Sequence, residues 1–270
     1  MKKLTKIVFA LLLSVGLIGC GSQKDDTQLK VSATASPHAE ILEAAKPILK
    51  ENHGIDLDIE VLDSYPIFNK ALDAGDVDAN YFQHRPYFLN QLDEFNYNIV
   101  EAAGLHLEPF GFYSQTLESI EDLPKGATVI ISNSTSDHGR ILGILADAGI
   151  IALDENVDVI NATEKDITEN PLELKFEQVN PEFLAKAYEN KEGDMVAING
   201  NYALQAKLNP LEDAILIEEI DDTNPYVNIV ACQKGKENDE KIKALIEVLK
   251  SDEIKNFIDE KYQGSVVIVE

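Results

Sequence analysis

The segment Asp78-Ala79-Asn80-Tyr81-Phe82-Gln83-His84-Arg85-Pro86-Tyr87 contains the repeating unit of the fold in its shortest form. Residues 77 to 81 predict a short strand, and residues 86 to 95 predict a helix that begins at a proline. Strands and helices alternate in the same way on both sides of this segment. Such alternation is typical of an α/β protein with mostly parallel sheets.

Hydrophobic periodicity predicts the remaining elements outward from this segment. The predicted helices span residues 38–52, 66–74, 137–148 and 239–262, with a kink or break expected at Pro47 and an interruption near Ser251. The predicted strands span residues 29–34, 55–62, 98–102, 128–132, 195–198 and 215–220. No low-complexity linker divides the chain, so any second domain must be inserted within the first.

The composition excludes several classes of function. The chain has 48 acidic and 23 basic side chains and a formal net charge of −25. Binding to nucleic acid or to anionic lipid needs a basic face, so neither partner is expected. The two cysteines, Cys20 and Cys232, cannot form a disulfide framework. No apolar run in the interior of the sequence is long enough for a transmembrane helix.

The first 28 residues predict a lipoprotein leader and a tether. Three lysines precede an apolar run at residues 7–18, and Leu17-Ile18-Gly19-Cys20 resembles a lipobox. We expect residues 1–19 to be a signal peptide and residues 20–28 a flexible tether, with a lipid such as palmitate on Cys20. This anchor would hold the protein at the extracytoplasmic face of the cell membrane. The alternative is an ordinary signal peptide with a chance cysteine.

Signatures of catalysis and of metal binding are weak. The chain has no G-x-S-x-G, P-loop, H-E-x-x-H or C-x-x-C motif. Residues 154–165 begin like a calcium loop, but Val159 and Lys165 stand where glycine and glutamate are required. Five histidines could supply zinc ligands if several of them converged with a carboxylate. A zinc receptor is therefore one alternative, and an enzyme on the same fold is a less favoured one.

Four segments, together with the lipobox, resemble the MetQ/NlpA family of methionine-binding lipoproteins, the receptor subunits of ABC importers. They are residues 36–42 (SPHAEIL), 78–87 (DANYFQHRPY), 196–203 (VAINGNYA) and 224–230 (NPYVNIV). The resemblance runs in order from Cys20 to the C-terminal helix. It implies a receptor rather than an enzyme, without cofactor or metal. The implied partners are an amino acid, above all L-methionine, and the permease and ATPase subunits of an importer.

The resemblance also implies the fold of periplasmic binding proteins. Two α/β lobes would be joined by two crossovers and would close on a ligand in a central cleft. Lobe I would contain residues 29–111 and 226–270, and lobe II residues 112–225. The crossovers would fall near residues 111–114 and 224–227, which agrees with the inserted domain inferred above.

Arg140 is the candidate for binding the ligand carboxylate. An arginine presents a planar fork of donors that matches a carboxylate, and the chain contains only two arginines. Arg140 follows a polar, turn-rich stretch between a strand and a helix, where open α/β sheets bind ligands. The other arginine, Arg85, is expected to be exposed.

Acceptors for the ammonium group and an apolar pocket complete the predicted site. Asn199 and Asn228 lie in or next to apolar strands, and both match family positions that contact the amino-acid backbone. A thioether packs well on aromatic rings. Four residues match the pocket positions of the family: Tyr65, Phe82, His84 and Tyr87. His106 is expected at most as a pocket wall, and His38 as the start of a helix.

Three departures from the family pattern limit the prediction of the ligand. The loop 133–140 lacks the usual proline, Ser64 replaces a common aspartate, and Gly200 replaces a common threonine. Recognition of the amino-acid backbone therefore carries over better than side-chain specificity. D-methionine, a methionine-containing dipeptide and other apolar amino acids are the alternatives to L-methionine.

Overall fold

The computed structural model describes residues 27–220 and 223–269. The predicted signal peptide, Cys20 and most of the predicted tether lie outside the described residues. Gln28, assigned to the tether, already begins the first strand. Within the described part of the chain, no helix combines the length and the apolar character needed to cross a membrane.

The strands fall into two main sheets and one small one. Their bounds are β1 (Gln28–Ala33), β2 (Asp56–Val61), β3 (Ala79–His84), β4 (Ile99–Leu107), β5 (Gly111–Tyr113), β6 (Thr128–Ser132), β7 (Ala152–Leu153), β8 (Ile167–Glu169), β9 (Lys175–Val179), β10 (Met195–Ile198), β11 (Leu216–Ile217), β12 (Asn228–Gln233) and β13 (Val267–Ile268). The first sheet has the order β13-β4-β12-β3-β1-β2, the second β11-β5-β10-β6-β9, and β7 pairs with β8.

Helices flank both main sheets. Their bounds are α1 (Glu40–His53), α2 (Tyr65–Ala74), α3 (Arg85–Phe95), α4 (Thr135–Asp147), α5 (Leu184–Glu189), α6 (Gly200–Gln205), α7 (Pro210–Asp213), α8 (Glu240–Leu249) and α9 (Asp252–Tyr262). Pro47 lies inside α1 without ending it, so the break expected there does not occur. α1 ends at Gly54, whose φ of 68° is a left-handed conformation that favours glycine. Ser251 caps α9 and separates it from α8, as predicted.

The expectation of mostly parallel sheets is wrong. In the first sheet β1 pairs in parallel with β2 and β3, but β12 pairs antiparallel with both β3 and β4. In the second sheet β6 pairs in parallel with β9 and β10, whereas β5 is antiparallel to β10 and β11. Two of the antiparallel strands, β5 and β12, are the first strands after the chain changes sheets. A crossover strand can enter its sheet in either direction, and local periodicity does not report that direction.

Each main sheet has its own hydrophobic core, which makes the molecule a pair of α/β lobes. One core lies between the first sheet and α1, α8 and α9. A second lies around β5, β6, β10 and α4. A third cluster, with Phe68, Phe82, Tyr113 and Ile198 among its members, contains residues of both sheets. This shared cluster places the two lobes in contact.

The chain passes between the sheets twice. It leaves the first sheet after Leu107 and enters the second at Gly111, and it returns between Ile217 and Asn228. The predicted crossovers lie in or next to these stretches. The numerical lobe boundaries stay a prediction.

Two strands differ in length from their sequence prediction in ways that affect the site. β3 runs to His84 rather than ending at residue 81, so Phe82 and His84 belong to the strand and not to a following loop. β11 contains only two residues instead of the predicted six. Glu218 and Glu219 therefore lie in the returning segment.

Candidate functional site

All seven predicted ligand-binding residues line one cavity between the two lobes. The space in this cavity, including its opening to solvent, is about 330 Å³. Its lining residues are Tyr65, Phe82, Gln83, His84, Tyr87, Glu108, Arg140, Asn199, Gly200, Asn201 and Asn228. The site thus combines one guanidinium, one carboxylate, several amides and a group of rings.

The ends of strands and the first two turns of helices position these side chains. Phe82 and His84 are alternate residues at the end of β3, so both face the same side of the sheet. Arg140 lies in the second turn of α4, and Asn199 immediately precedes α6. Asn228 is the first residue of β12. This arrangement follows the general rule that α/β proteins bind ligands where strands end and helices begin.

Aromatic rings form one wall of the cavity. Tyr65 lies 5.7 Å from Phe82 and 5.5 Å from Tyr87, measured between ring centroids. Phe82 stacks on Phe68 at 4.0 Å, and Tyr202 stacks on Tyr65 at 5.1 Å. All of these side chains are buried. Packing of this kind fixes the rings and gives a polarisable surface suited to an apolar or thioether side chain.

The fork of Arg140 is largely occupied by the protein itself. Its Nε donates to Glu218 Oε1 at 3.0 Å, and its Nη2 donates to Glu218 Oε2 and, at 2.8 Å, to the backbone oxygen of Glu108. The guanidinium carbon lies 4.4 Å from the ring centroid of Tyr226. Glu218 is buried, yet its pKa is lowered because the attraction of Arg140 outweighs the effect of burial. Among the residues that the structure describes, Nη1 makes no hydrogen bond, so it is the part of the fork left for a ligand carboxylate.

Asn228 is held by a histidine from the start of the chain. Its Oδ1 lies 3.1 Å from Nε2 of His38, and Nδ1 of His38 lies 2.6 Å from the Thr34 hydroxyl. A neutral imidazole that accepts from Thr34 donates from Nε2, so Asn228 Oδ1 is used as an acceptor. The amide group of Asn228 then offers its Nδ2 hydrogens to the cavity. Those hydrogens suit a carboxylate, whereas the sequence prediction assigned Asn228 to the ammonium.

A hydrogen-bonded bridge joins the lobes through the carboxylate of Asp137, which contacts His84 and Asn199. His84 Nε2 lies 3.0 Å from Asp137 Oδ1, and Asn199 Nδ2 donates to Asp137 Oδ2 at 3.3 Å. Burial raises the pKa of Asp137, but the hydrogen bonds from His84 and Asn199 outweigh it and the pKa is lowered. Asn199 Oδ1 is buried and has no hydrogen-bond partner among the described residues. It is therefore an acceptor suited to a ligand ammonium.

Further hydrogen bonds join the lobes around the cavity. The Tyr65 hydroxyl donates to Asn201 Oδ1 at 2.5 Å, and the Tyr202 hydroxyl donates to the backbone oxygen of Asp63 at 2.7 Å. Ser64 donates to Glu182 at 3.2 Å. Together with the His84–Asp137 pair, these contacts hold the lobes against each other. The common aspartate replaced by Ser64 is thus at a position that contacts the opposite lobe.

Two of the histidines converge with a carboxylate, but all three side chains are engaged within the protein. Within the described residues, one group of three could hold a metal ion: His38, His106 and Glu108, with ligand atoms within 4.8 Å of one another. Each of these side chains already has protein partners. His106 Nε2 lies 2.9 Å from Glu108 Oε1, and its Nδ1 lies 2.5 Å from the Tyr81 hydroxyl. His84 and His138 are bound elsewhere, to Asp137 and to the backbone oxygen of Ser132.

Arg85 lies outside the cavity. It forms a two-bond ion pair with Glu101, at 2.8 and 2.7 Å, and its side chain is 39% exposed. Arg85 is therefore half-buried and paired, so the prediction of an exposed side chain holds only in part.

Sequence reasoning missed the buried acids of the site, Glu108, Asp137 and Glu218. In so acidic a chain an individual carboxylate carries little information. The available signal was local, because Glu108 and Glu218 each interrupt an apolar run, Leu105 to Phe112 and Ile215 to Ile220. A charged residue inside such a run is rarely buried without a partner or a function.

Comparison with known proteins agrees with this geometry. The family model described as NlpA lipoprotein matches residues 29–269. The methionine-binding lipoprotein MetQ of Bacillus subtilis (strain 168) is 50% identical over 274 residues, which cover 100% of this chain and 99% of the relative. The D-methionine-binding lipoprotein MetQ of Escherichia coli (strain K12) is 31% identical over 261 residues, covering 96% and 95%.

A solved structure of a relative is also similar to this fold. A nutrient-binding protein from Burkholderia cenocepacia bound to methionine superimposes with a TM-score of 0.84 at 36% identity, covering 89% of this chain and 99% of that one. The relatives confirm the predicted two-lobed receptor fold, and they favour neither the zinc receptor nor the enzyme. The chain belongs to the NlpA lipoprotein family.

Proposed function

We propose that the protein is a lipid-anchored extracytoplasmic receptor that binds an amino acid, L-methionine in the first place, and delivers it to an ABC importer. One observation carries this proposal: a guanidinium, two amides and a wall of aromatic rings converge in a single buried cavity between two lobes. Relatives named for methionine or D-methionine binding support the choice of ligand. The protein acts by binding and not by catalysis.

The polar groups of the cavity suggest how a zwitterion would be oriented. The carboxylate would lie against Arg140 Nη1 and Asn228 Nδ2, which are both donors. The ammonium would lie on the side of Asn199 Oδ1, a buried acceptor. The thioether would contact the rings of Tyr65, Phe82 and Tyr87. His84 would act mainly by holding Asp137 and the opposite lobe in place.

The anchor and the partners complete the proposal. Lipid on Cys20 would tether the receptor to the membrane by the residues that precede β1. The permease and ATPase subunits of an importer would accept the loaded receptor. Membership of a lipoprotein family supports both inferences.

Mass spectrometry of small molecules released on denaturation tests the choice of ligand. Protein purified under native conditions from rich medium should release methionine in about one equivalent. Chiral analysis then separates L- from D-methionine, and the same spectrum detects a dipeptide or another apolar amino acid. Release of a compound without an amino-acid backbone would contradict the proposal.

A further inference from the structure

Glu108 is a buried carboxylate with a fixed orientation. It follows the end of β4 in the first crossover, lines the ligand cavity and is 5% exposed. Its Oε1 lies 2.9 Å from His106 Nε2, and His106 is held in turn by the Tyr81 hydroxyl. A neutral His106 that accepts from Tyr81 donates from Nε2, so the imidazole points a proton at Glu108. The carboxylate is therefore preorganised at the cavity wall.

Within the described part of the chain, no lysine or arginine forms an ion pair with the carboxylate of Glu108. The groups at ion-pair distance are two imidazoles, His38 at 3.4 Å and His106 at 2.9 Å. Burial lowers their pKa values to about 4 and about 3, so both are neutral at neutral pH. The fork of Arg140 is bound to Glu218. Burial raises the pKa of Glu108, and the attraction of Arg140 and a hydrogen bond from the backbone N–H of Asn201 offset this only in part.

An uncompensated buried charge is costly unless a partner arrives. A carboxylate offers about four acceptor sites, and the protein donors that contact Glu108 leave room for more. A cationic group on the ligand would supply both the missing charge and the missing donors. The cavity that Glu108 lines is where such a ligand would lie.

Gly200 makes room for this acid. A Cβ at position 200 would lie 2.6 Å from Cβ of Glu108 and 2.8 Å from its Oε2. Contacts this short force a shift, and Cβ of Glu108 is too close to the backbone to move freely. A threonine, common at this position in the family, is therefore incompatible with Glu108 as placed here. The acid at 108 and the glycine at 200 form a matched pair.

We propose that Glu108 pairs with the ammonium group of the bound amino acid and that Gly200 is the specificity-determining partner that admits it. The proposal rests on the function proposed above and narrows its ligand class. Ligands must have a free, protonated α-amino group close to their carboxylate. N-acylated amino acids and carboxylic acids without an amino group should be rejected, because neither can balance the charge of Glu108.

Glu108→Gln tests the proposal, because it removes the charge and keeps the size. The probes are L-methionine and 4-(methylthio)butanoic acid, which lacks the amino group. Wild type should strongly prefer L-methionine. The variant should bind L-methionine about 30-fold or more weakly. Its affinity for 4-(methylthio)butanoic acid should stay within about 3-fold of wild type or rise. The matched control is Glu101→Gln, which changes a partly buried carboxylate outside the cavity and should alter neither affinity.

Gly200→Ala tests the second half of the pair. It should lower the melting temperature and weaken L-methionine binding while Glu108 is present. In a Glu108→Gly background, which removes Cβ of residue 108 as well as the carboxylate, the same substitution should change the melting temperature little, because the clash is gone. An equal effect of Gly200→Ala in both backgrounds would overturn the matched pair.

The outcomes separate this proposal from the proposed function. Wild type that binds L-methionine and a Glu108→Gln variant that binds it within about 3-fold would overturn the role of Glu108 alone. An equal loss of affinity for both probes in the variant would show that Glu108 has a merely structural role, and would also overturn the proposal. Wild type that binds neither probe would refute the proposed function, and this inference with it.

Discussion

Arg140→Ala should weaken both the fold and the binding of L-methionine. The Arg140 side chain is buried, and its removal leaves the carboxylate of Glu218 buried without a counter-ion. Breaking a buried ion pair in this way costs about 3–5 kcal/mol of the free energy of unfolding. Removing one partner of a desolvated pair with the ligand costs about 2–5 kcal/mol, roughly 30-fold to several thousand-fold in affinity. Arg140→Lys should recover part of each loss, because an ammonium cannot reproduce the planar fork.

Two measurements keep these effects apart. Urea denaturation gives the free energy of unfolding, and calorimetry on ligand-free protein gives the affinity at a temperature where the variant is folded. Adding Glu218→Ala to Arg140→Ala should restore part of the stability, because the uncompensated charge is removed, but not the affinity. Arg85→Ala is the control. Its pair with Glu101 is partly exposed, and we expect a loss of about 0–1 kcal/mol and unchanged affinity.

Ligand analogues locate the interacting group. Methioninol lacks the carboxylate, so it should bind wild type poorly and lose little more on Arg140→Ala. If Arg140→Ala bound L-methionine within about 3-fold of wild type, under about 1 kcal/mol, the carboxylate would lie elsewhere in the cavity. The reasoning from the fork of Arg140 would then be wrong.

Three further predictions follow from other parts of the molecule. Cys20→Ala should prevent lipid modification and release the protein from membranes, which fractionation of cells measures; a variant that still carried lipid would refute the lipobox. Phe82→Ala should weaken the binding of methionine more than the binding of alanine, because it removes a ring of the apolar wall and leaves the polar groups intact. Calorimetry with both ligands measures the two affinities, and an equal loss of affinity for both would contradict this prediction. The free energy of unfolding should fall as the pH drops from 6.5 toward about 4, because the unfolded chain takes up protons on His38 and His106 that the folded chain excludes. Each histidine contributes at most about 1.4 kcal/mol per pH unit, and urea titrations across this range should show a smaller slope for His106→Gln than for wild type.

Local patterns of apolar and capping residues were sufficient to predict many of the helices and strands. The strand at 195–198 and the boundary at Ser251 follow directly from apolar runs and a helix-capping residue. The direction of β12 could not be predicted, because it depends on where the chain returns from the second sheet. The end of β3 was misplaced for a related reason. Phe82 to His84 are polar and aromatic like a loop, but they are buried between two lobes that local sequence does not describe.

The residues of the candidate site could be predicted from the sequence, but their hydrogen-bonding partners could not. The family resemblance and simple chemistry brought together seven residues that share one cavity. They could not show which atoms remain free for a ligand, because that depends on neighbours distant in sequence. Asn228 is turned by His38, 190 residues away, and Arg140 is held by Glu218, 78 residues away. Such pairings follow from the tertiary fold and leave no periodic signal in the sequence.

The central claim is that the cavity between the lobes binds methionine. Calorimetric titration of L-methionine into protein freed of co-purified ligand by unfolding and refolding tests it most directly. We expect saturable binding of about one ligand per chain that is weakened about 30-fold or more in Arg140→Ala and retained in Arg85→Ala. Absence of saturable heat up to millimolar L-methionine, in protein whose refolding is verified by circular dichroism, would contradict it.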